Sequence, residues 1–343
     1  MVDNYKIVCN TAAGRRRYMQ YLIPFIVNNE IVDRYDIWVN TTDKQDIAFF
    51  QILAKKFPKI NLVYQPDGVV DGCRSINAFY KQCVEKDTIY FRMDDDIVWM
   101  EPDMIEKMVR FRIDNPDYFV VSPLVINNAI CTYIMHNTGK IKLRKYCPAQ
   151  ACDDVLWKSG EFAAQLHEWF LAQMPGKRYK KLYCGKRPIA LNRFSINSIL
   201  WFGSEMAKFG GVVSGDEEEW MTVIKPTELG AVNCINGDAI TAHFAFYPQR
   251  KKLDKLNILG RYGAFASEMN GGGESPVNQA IKEAMREVEE RKTEILGEPD
   301  ILVSQQEKGT VASRISKWKV LPVLKLYPLW QMKYMFSMVK YIK

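Results

Sequence analysis

The sequence predicts an α/β protein, a mostly parallel sheet flanked by helices, with a helical extension at its C-terminal end. Two observations carry this expectation. Strand and helix patterns alternate through the first 125 residues, and strands joined by helical crossovers assemble into parallel sheets with right-handed connections. The fourth strand runs straight into three acids, Asp94-Asp95-Asp96, at the carboxyl edge where such sheets bind ligands.

Lys6 to Asn10 reads as the first strand, and after a turn at Thr11 to Gly14 a helix runs through Tyr18, Leu22 and Phe25 with a kink at Pro24. Asp36 to Asn40 is the second strand. Thr42 and Gln45 have capping-box spacing for a helix that buries Ile47, Phe50, Ala54 and Phe57 and stops at Pro58. Ile60 to Tyr64 is the third strand, Ile76, Phe79 and Cys83 mark a helix, and Thr88 to Met93 is the fourth strand. Pro102 opens a helix through Ile105, Met108 and Phe111, and Tyr118 to Val125 follows as the fifth strand. Beyond Asn127 the pattern loosens. A hairpin is expected over Ile130 to Leu143 around Asn137-Thr138-Gly139, and a helix over Glu161 to Met174. Ala231 to Ile235 and Ala239 to Phe246 read as strands joined by an Asn236-Gly237 turn. Gly271-Gly272-Gly273 is a break before a charged helix over Val277 to Ile295.

With 48% apolar and 25% charged residues in a chain of 343, the composition is that of a globular protein with ample material for a core. Eight scattered cysteines without a CxxC pair, beside only three histidines, argue against structural zinc and for free thiols in a reducing compartment. No run of about 18 apolar residues reads as a membrane span, and the first residues enter a strand without a signal-like segment, so a cytoplasmic location is expected. The net charge of +7 is local. Seven cations and no acid lie between Arg314 and Lys343, which leaves 40 bases against 40 acids in the 313 residues before them. A neutral body excludes a broad nucleic-acid-binding face.

Three adjacent carboxylates at the end of a buried strand repel one another and lose hydration, so they need open solvent, a helix to cap, or a cation. The cation reading suits one reaction type. Transfer from a nucleoside-diphosphate compound builds charge on the leaving diphosphate, and Mg²⁺ or Mn²⁺ held by one or two carboxylates neutralises it. On that reading Asp96 is the direct metal ligand, Asp94 reaches the ribose or a metal-bound water, and Asp95 is a second contributor. Arg15, Arg16, Arg17 and Arg74 follow strands one and three on the diphosphate side; Arg74 and then Arg15 are the best placed to grip phosphate, the alternative being solvated surface. Thr11 and Asp43 are expected to face the base or ribose, and Asn127 and Asn128 a sugar of the acceptor. In the run Gly215-Asp216-Glu217-Glu218-Glu219-Trp220, one acid is expected to act as the base that deprotonates an acceptor hydroxyl, or Asp216 to cap a helix whose first turn the glutamates fill.

These residues resemble the GT-A-fold nucleotide-sugar glycosyltransferases, in particular the bacterial and viral family-2-like enzymes that build surface polysaccharides. The resemblance rests on Ile7-Val8-Cys9-Asn10-Thr11, on Met93-Asp94-Asp95-Asp96-Ile97, on the turn Gly215 to Trp220 and on His243, and it covers roughly residues 3–260. It implies a GT-A-like (Rossmann-type) catalytic domain over 1–260, with a nucleotide-sugar-binding half to 126 and an acceptor-binding half after it. A linker and charged helix over 261–310 and a basic tail over 311–343 follow. The implied activity is metal-dependent, hexosyltransferase-type transfer from a UDP-, GDP- or dTDP-sugar to a glycan or lipid-linked acceptor. In such enzymes the Asp-x-Asp pair holds Mn²⁺ or Mg²⁺ and the donor. A late histidine, here His243, completes the metal shell, as neutral imidazole readily does beside oxygen ligands on Mn²⁺. The base is Glu218, Glu217 or Asp216, since consecutive acids leave the register open, and glutamate stands where the family more often has aspartate.

The tail from Ile315 to Ile342 mixes Trp318, Trp330, Tyr334, Phe336 and leucines with cations, the composition of an interfacial segment on an anionic membrane, or of a helix packed on protein. Peripheral attachment to the inner membrane face is the expectation. Two rival functions use the same residues. Asp94-Asp95-Asp96-Ile97-Val98 fits the nucleophile motif of haloacid-dehalogenase-type phosphohydrolases, although three strand-helix units precede it here where that family has it after the first strand. A non-catalytic sugar-binding or membrane scaffold is the other.

Overall fold

The computed structural model describes residues 1–305, so the basic aromatic tail at 311–343 lies outside the described residues. A nine-stranded sheet organises the molecule. Its strands are β1 Lys6–Ala13, β2 Arg34–Val39, β3 Ile60–Tyr64, β4 Thr88–Met93, β5 Ile97–Met100, β6 Val121–Ile126, β7 Lys186–Ile189, β8 Ser198–Phe202 and β9 Asn233–His243. They lie in the order β3-β2-β1-β4-β8-β6-β9-β5, with β7 also paired to β9. Six strands, β1 to β4 with β6 and β9, run one way; β5, β7 and β8 run against them. This is the expected α/β class, a mostly parallel sheet flanked by helices. The parallel strands read as near-continuous apolar runs because helices cover both faces.

The helices are α1 Arg16–Val27, α2 Lys44–Lys56, α3 Met104–Asp114, α4 Ala129–Asn137, α5 Gly160–Leu171, α6 Gly203–Ala207, α7 Glu217–Glu219, α8 Lys225–Leu229, α9 Arg250–Lys255, α10 Ile258–Met269, α11 Pro276–Glu290 and α12 Lys292–Gly297. A π-helical turn, Trp220–Ile224, joins α7 to α8. None of the described helices is long and apolar enough to cross a membrane. All eight cysteines are free.

Several local expectations shift for identifiable reasons. The α2 cap is Asp43, whose side chain accepts from the Gln45 and Asp46 amides, one residue after the expected Thr42 box. Asn137-Thr138-Gly139 ends a helix rather than turning a hairpin: Gly139 takes φ +71° and Lys140 N bonds back to Met135 O at 2.8 Å, a left-handed helix stop that reads like a turn in sequence. Asn236-Gly237 lies inside one long strand. Gly237 is there for a close approach, since a Cβ would meet Cys184 Sγ at 2.4 Å and Gly185 O at 2.6 Å. The charged helix breaks at Arg291 into α11 and α12. Residues from 261 to Leu302 belong to the same compact unit as the rest of the body, with α10 packed on β5 and α11 and α12 on α2, where a linker was expected.

Register positions the site. Asn10 pairs with Arg92 across β1 and β4, so Gly14-Arg15 and Asp94 to Asp96 leave the same sheet edge. Met93 pairs with Ser198 of antiparallel β8, which sets Asn197 beside Asp94. Ala242 pairs with Ile126 of β6 and His243 with Ile97 of β5, which brings the end of β9 against both Asn127 and Asp96.

Candidate active site

These strand ends, with the first turn of α7, line a cleft of about 1230 Å³. At its floor Asp94, Asp96 and His243 each offer a ligand atom within 4.8 Å of the others. Octahedral shells at ~2.0–2.2 Å place ligand atoms ~3 to 4.4 Å apart, so the trio needs only a small contraction around a cation. Two carboxylates with one imidazole form a donor set for a divalent cation.

Each member is aimed by a partner. Asp94 Oδ2 accepts from Asn197 Nδ2 at 2.9 Å and its Oδ1 lies 3.0 Å from Arg92 Nη1. His243 Nδ1 lies 3.4 Å from the Asn127 carbonyl, which turns Nε2 toward Asp96 Oδ1 at 3.3 Å; such tethering of the second ring nitrogen is how metal-binding histidines are oriented. Burial works against charge on His243, but Asp96 and Asp94 outweigh it and raise its pKa. Burial likewise opposes the Asp96 carboxylate, yet Arg15, His243 and Arg250 hold it well below the usual range.

Asp95 has a different task. Its carboxylate, 5% exposed, takes the Arg15 guanidinium and the Gly14 amide at 3.1 Å, and burial raises its pKa despite Arg15. Arg15 also reaches Asp96 at 3.1 Å. Asp95 therefore anchors Arg15 at the edge of β1.

The acidic turn is similarly divided. Asp216 caps α7 through the Glu219 amide at 2.9 Å. Glu217, its side chain 10% exposed, lies against Arg92 Nε at 3.1 Å and accepts from Tyr80 at 2.5 Å. Glu218 faces the cleft and accepts from Arg193 Nε at 3.0 Å, while Arg193 Nη2 holds Asp216 at 3.0 Å. Burial raises the pKa of both glutamates against the pull of Arg92 and Arg193. The arrangement supplies a cation site and a carboxylate with a raised pKa in the same cleft, with Arg92 joining Asp94 to Glu217.

No protein-family model matches the chain, and no curated protein matches it. Among solved structures, 4-diphosphocytidyl-2C-methyl-D-erythritol synthase from Anaerococcus prevotii is 8% identical with TM-score 0.41, over 74% of this chain and 98% of that one. CMP:2-keto-3-deoxy-manno-octonic acid synthetase complexed with CTP is 10% identical with TM-score 0.40, over 75% and 98%. Glucosyl-3-phosphoglycerate synthase from Mycobacterium tuberculosis, in complex with Mn²⁺, UDP-glucose and phosphoglyceric acid, is 14% identical with TM-score 0.40, over 80% and 82%. At these values the reading of the site rests on this chain's own residues.

Of the residues expected from sequence, Arg15, Arg74, Asp94, Asp95, Asp96, Asp216, Glu217, Glu218 and His243 line the cleft. Four do not. Thr11 is fully buried and accepts from Tyr35 at 3.0 Å, and Asp43 caps α2. Asn127 bonds Phe244 O and Gln249, and Asn128 bonds Ser195 O and Asn197, so both are buried supports of the site where acceptor contact was expected. Arg16 and Arg17 are turned to Asp46 and Asp254. Arg74 is 83% exposed at the rim. Sequence reasoning missed Arg92, Asn197, Arg193 and Arg250. A signal existed for Arg92 alone, as a cation inside the apolar run Tyr-Phe-Arg-Met.

Proposed function

We propose that this chain is a divalent-metal-dependent glycosyltransferase that moves a sugar from a nucleoside-diphosphate sugar to a glycan or lipid-linked acceptor. The convergence of Asp94, Asp96 and His243 at the floor of the cleft carries this reading. A bound Mn²⁺ or Mg²⁺ supplies charge neutralisation for the leaving diphosphate. Asp94, Asp96 and His243 hold it, Asn197, Arg92 and the Asn127 carbonyl orient them, and Arg15, with Arg74 at the rim, faces the phosphates. Glu218 serves as the base that takes the acceptor hydroxyl proton as the sugar is attacked from the opposite face, which makes the transfer inverting. Glu217, committed to Arg92 and Tyr80, serves as the support of that turn. The basic tail brings the domain to an anionic membrane surface and its lipid-linked acceptors.

Thermal melts with Mn²⁺ and UDP-, GDP- and dTDP-sugars test the reading, because a ligand of the folded state raises stability by mass action. One nucleotide sugar is expected to stabilise the protein only with metal, and Asp96→Ala to abolish that shift. Phosphate release from simple phosphomonoesters, lost on Asp94→Asn with nucleotide sugars inert, would establish the phosphohydrolase instead.

A further inference from the structure

One wall of the cleft is unlike the rest. Trp157, Phe246 and Tyr247 line it beside Arg250. Phe246 lies 4.6 Å from the His243 ring and 6.2 Å from Trp157, and Tyr247 is 79% exposed. Each of the other cleft arginines has a carboxylate: Arg15 has Asp95 and Asp96, Arg92 has Asp94 and Glu217, Arg193 has Asp216 and Glu218, and Arg74 has Asp71 at 3.8 Å. Among the described residues no carboxylate lies within 4 Å of Arg250, whose charge acts on Asp96 only from farther away. Its Nε is buried without a hydrogen-bond partner, and its guanidinium lies 5.7 Å from the Tyr247 ring centroid. A buried donor left unmatched is costly, and more so on a charged group. Arg250 lines the cleft, so a small turn of its guanidinium toward a ligand oxygen would give it the missing partner.

Aromatic side chains beside the metal trio offer flat apolar faces to the C–H surface of a sugar ring, and a guanidinium at their edge matches a carboxylate or phosphate through paired donors. We infer that Trp157, Phe246, Tyr247 and Arg250 form the acceptor subsite, and that it takes a sugar ring carrying an anionic group, a carboxylate or a phosphate. This rests on the glycosyltransferase reading and specifies its acceptor class. The ring stacks on the aromatic wall, and the anion reaches Arg250.

The test uses the full chain with Mn²⁺ and whichever of UDP, GDP and dTDP stabilises it most. Glucose, glucuronate, glucose 6-phosphate and inorganic phosphate are titrated, with tryptophan fluorescence and calorimetry as readouts. Glucuronate or glucose 6-phosphate is expected to bind at least tenfold more tightly than glucose or phosphate. Arg250→Gln should bring the anionic sugars down to the affinity of glucose while glucose itself binds as before, and Tyr247→Ser, at an exposed position, should weaken the anionic sugars too. Equal binding of glucose, equal binding of phosphate, or no response to any sugar would overturn the inference. So would a loss in Arg250→Gln confined to the nucleotide, which would give this arginine to the diphosphate. If no nucleotide binds, the donor reading fails on its own, and the sugar titrations with Mn²⁺ alone still decide the subsite.

Discussion

Arg92→Met isolates the buried charge network under the site. The Arg92 side chain is 4% exposed and lies between Asp94, at 3.0 Å, and Glu217, itself 10% exposed, at 3.1 Å. Its Nη1 also donates to the Ile196 carbonyl at 2.6 Å. Methionine fills a similar volume but leaves Glu217 buried without its cation, a loss of about 3–5 kcal/mol for one partner of a buried pair. Domains have only about 5–15 kcal/mol in total, so the variant should be near the limit of folding at room temperature. Removing both charges, in Arg92→Met with Glu217→Gln, should restore much of the stability, because a neutral pair of similar volume leaves no buried charge uncompensated. Urea unfolding followed by tryptophan fluorescence gives the four corners of the cycle, with an expected coupling of about 1–3 kcal/mol. A loss below about 1 kcal/mol for Arg92→Met, the level of an exposed pair, would refute the assignment of Glu217 as a buried support. It would reopen Glu217 as the base.

Three further outcomes are expected. Glu218→Gln should lower transfer by about 10²-fold or more while Mn²⁺-dependent nucleotide binding persists, since general-base catalysis contributes about 10²–10⁴-fold; unchanged transfer would exclude Glu218. His167 is buried between Tyr262, 2.9 Å from Nδ1, and the Phe244 carbonyl, 2.9 Å from Nε2, and burial lowers its pKa from 6.5 to about 3. The unfolded chain then binds a proton that the native state refuses between those values, so this contribution to stability is full above pH 6.5 and is lost as pH falls. About 2 kcal/mol should go by pH 5, and His167→Gln should lose that dependence in urea midpoints measured from pH 7 to 5. Gly203→Ala puts a Cβ 2.0 Å from the Glu85 carbonyl oxygen, and backbone cannot step aside cheaply. A loss of about 3 kcal/mol or more is expected in the melting curve, from overpacking.

Local periodicity made β3 and β4 legible to the residue and placed Asp94 to Asp96 at the ligand edge, because apolar runs bounded by turn residues are a short-range signal. Strand pairing is not short-range. Arg15 meets Asp95 from 80 residues away, and Asn197 meets Asp94 across 103; neither spacing leaves a mark in sequence. Asn127 and Asn128 hold neighbouring residues where acceptor contact was expected, because sequence could not tell a polar residue that touches ligand from one that holds a neighbour. The two misread turns share a cause. Gly139 and Gly237 look alike in a turn-like setting, but one supplies a left-handed backbone and the other the space that Cys184 needs.

β9 pairs with β7 along its first half and with β5 along its second, and its register with β6 shifts between Asn236 and Ile240. At that shift the Ile240 amide donates to Glu101 Oε1 at 2.9 Å, and Glu101, fully buried, is gripped in turn by Tyr183 and Lys107. Side chains alternate faces along a strand, so a slip by one residue would swing His243 away from Asp96. The aim of that imidazole thus depends on a carboxylate outside the cleft, three residues upstream, together with the Asn127 carbonyl and a second register shift against β5 between Ala242 and His243. Tyr183, Lys107 and Glu101 can therefore change how the site grips a cation while leaving every residue that lines it untouched.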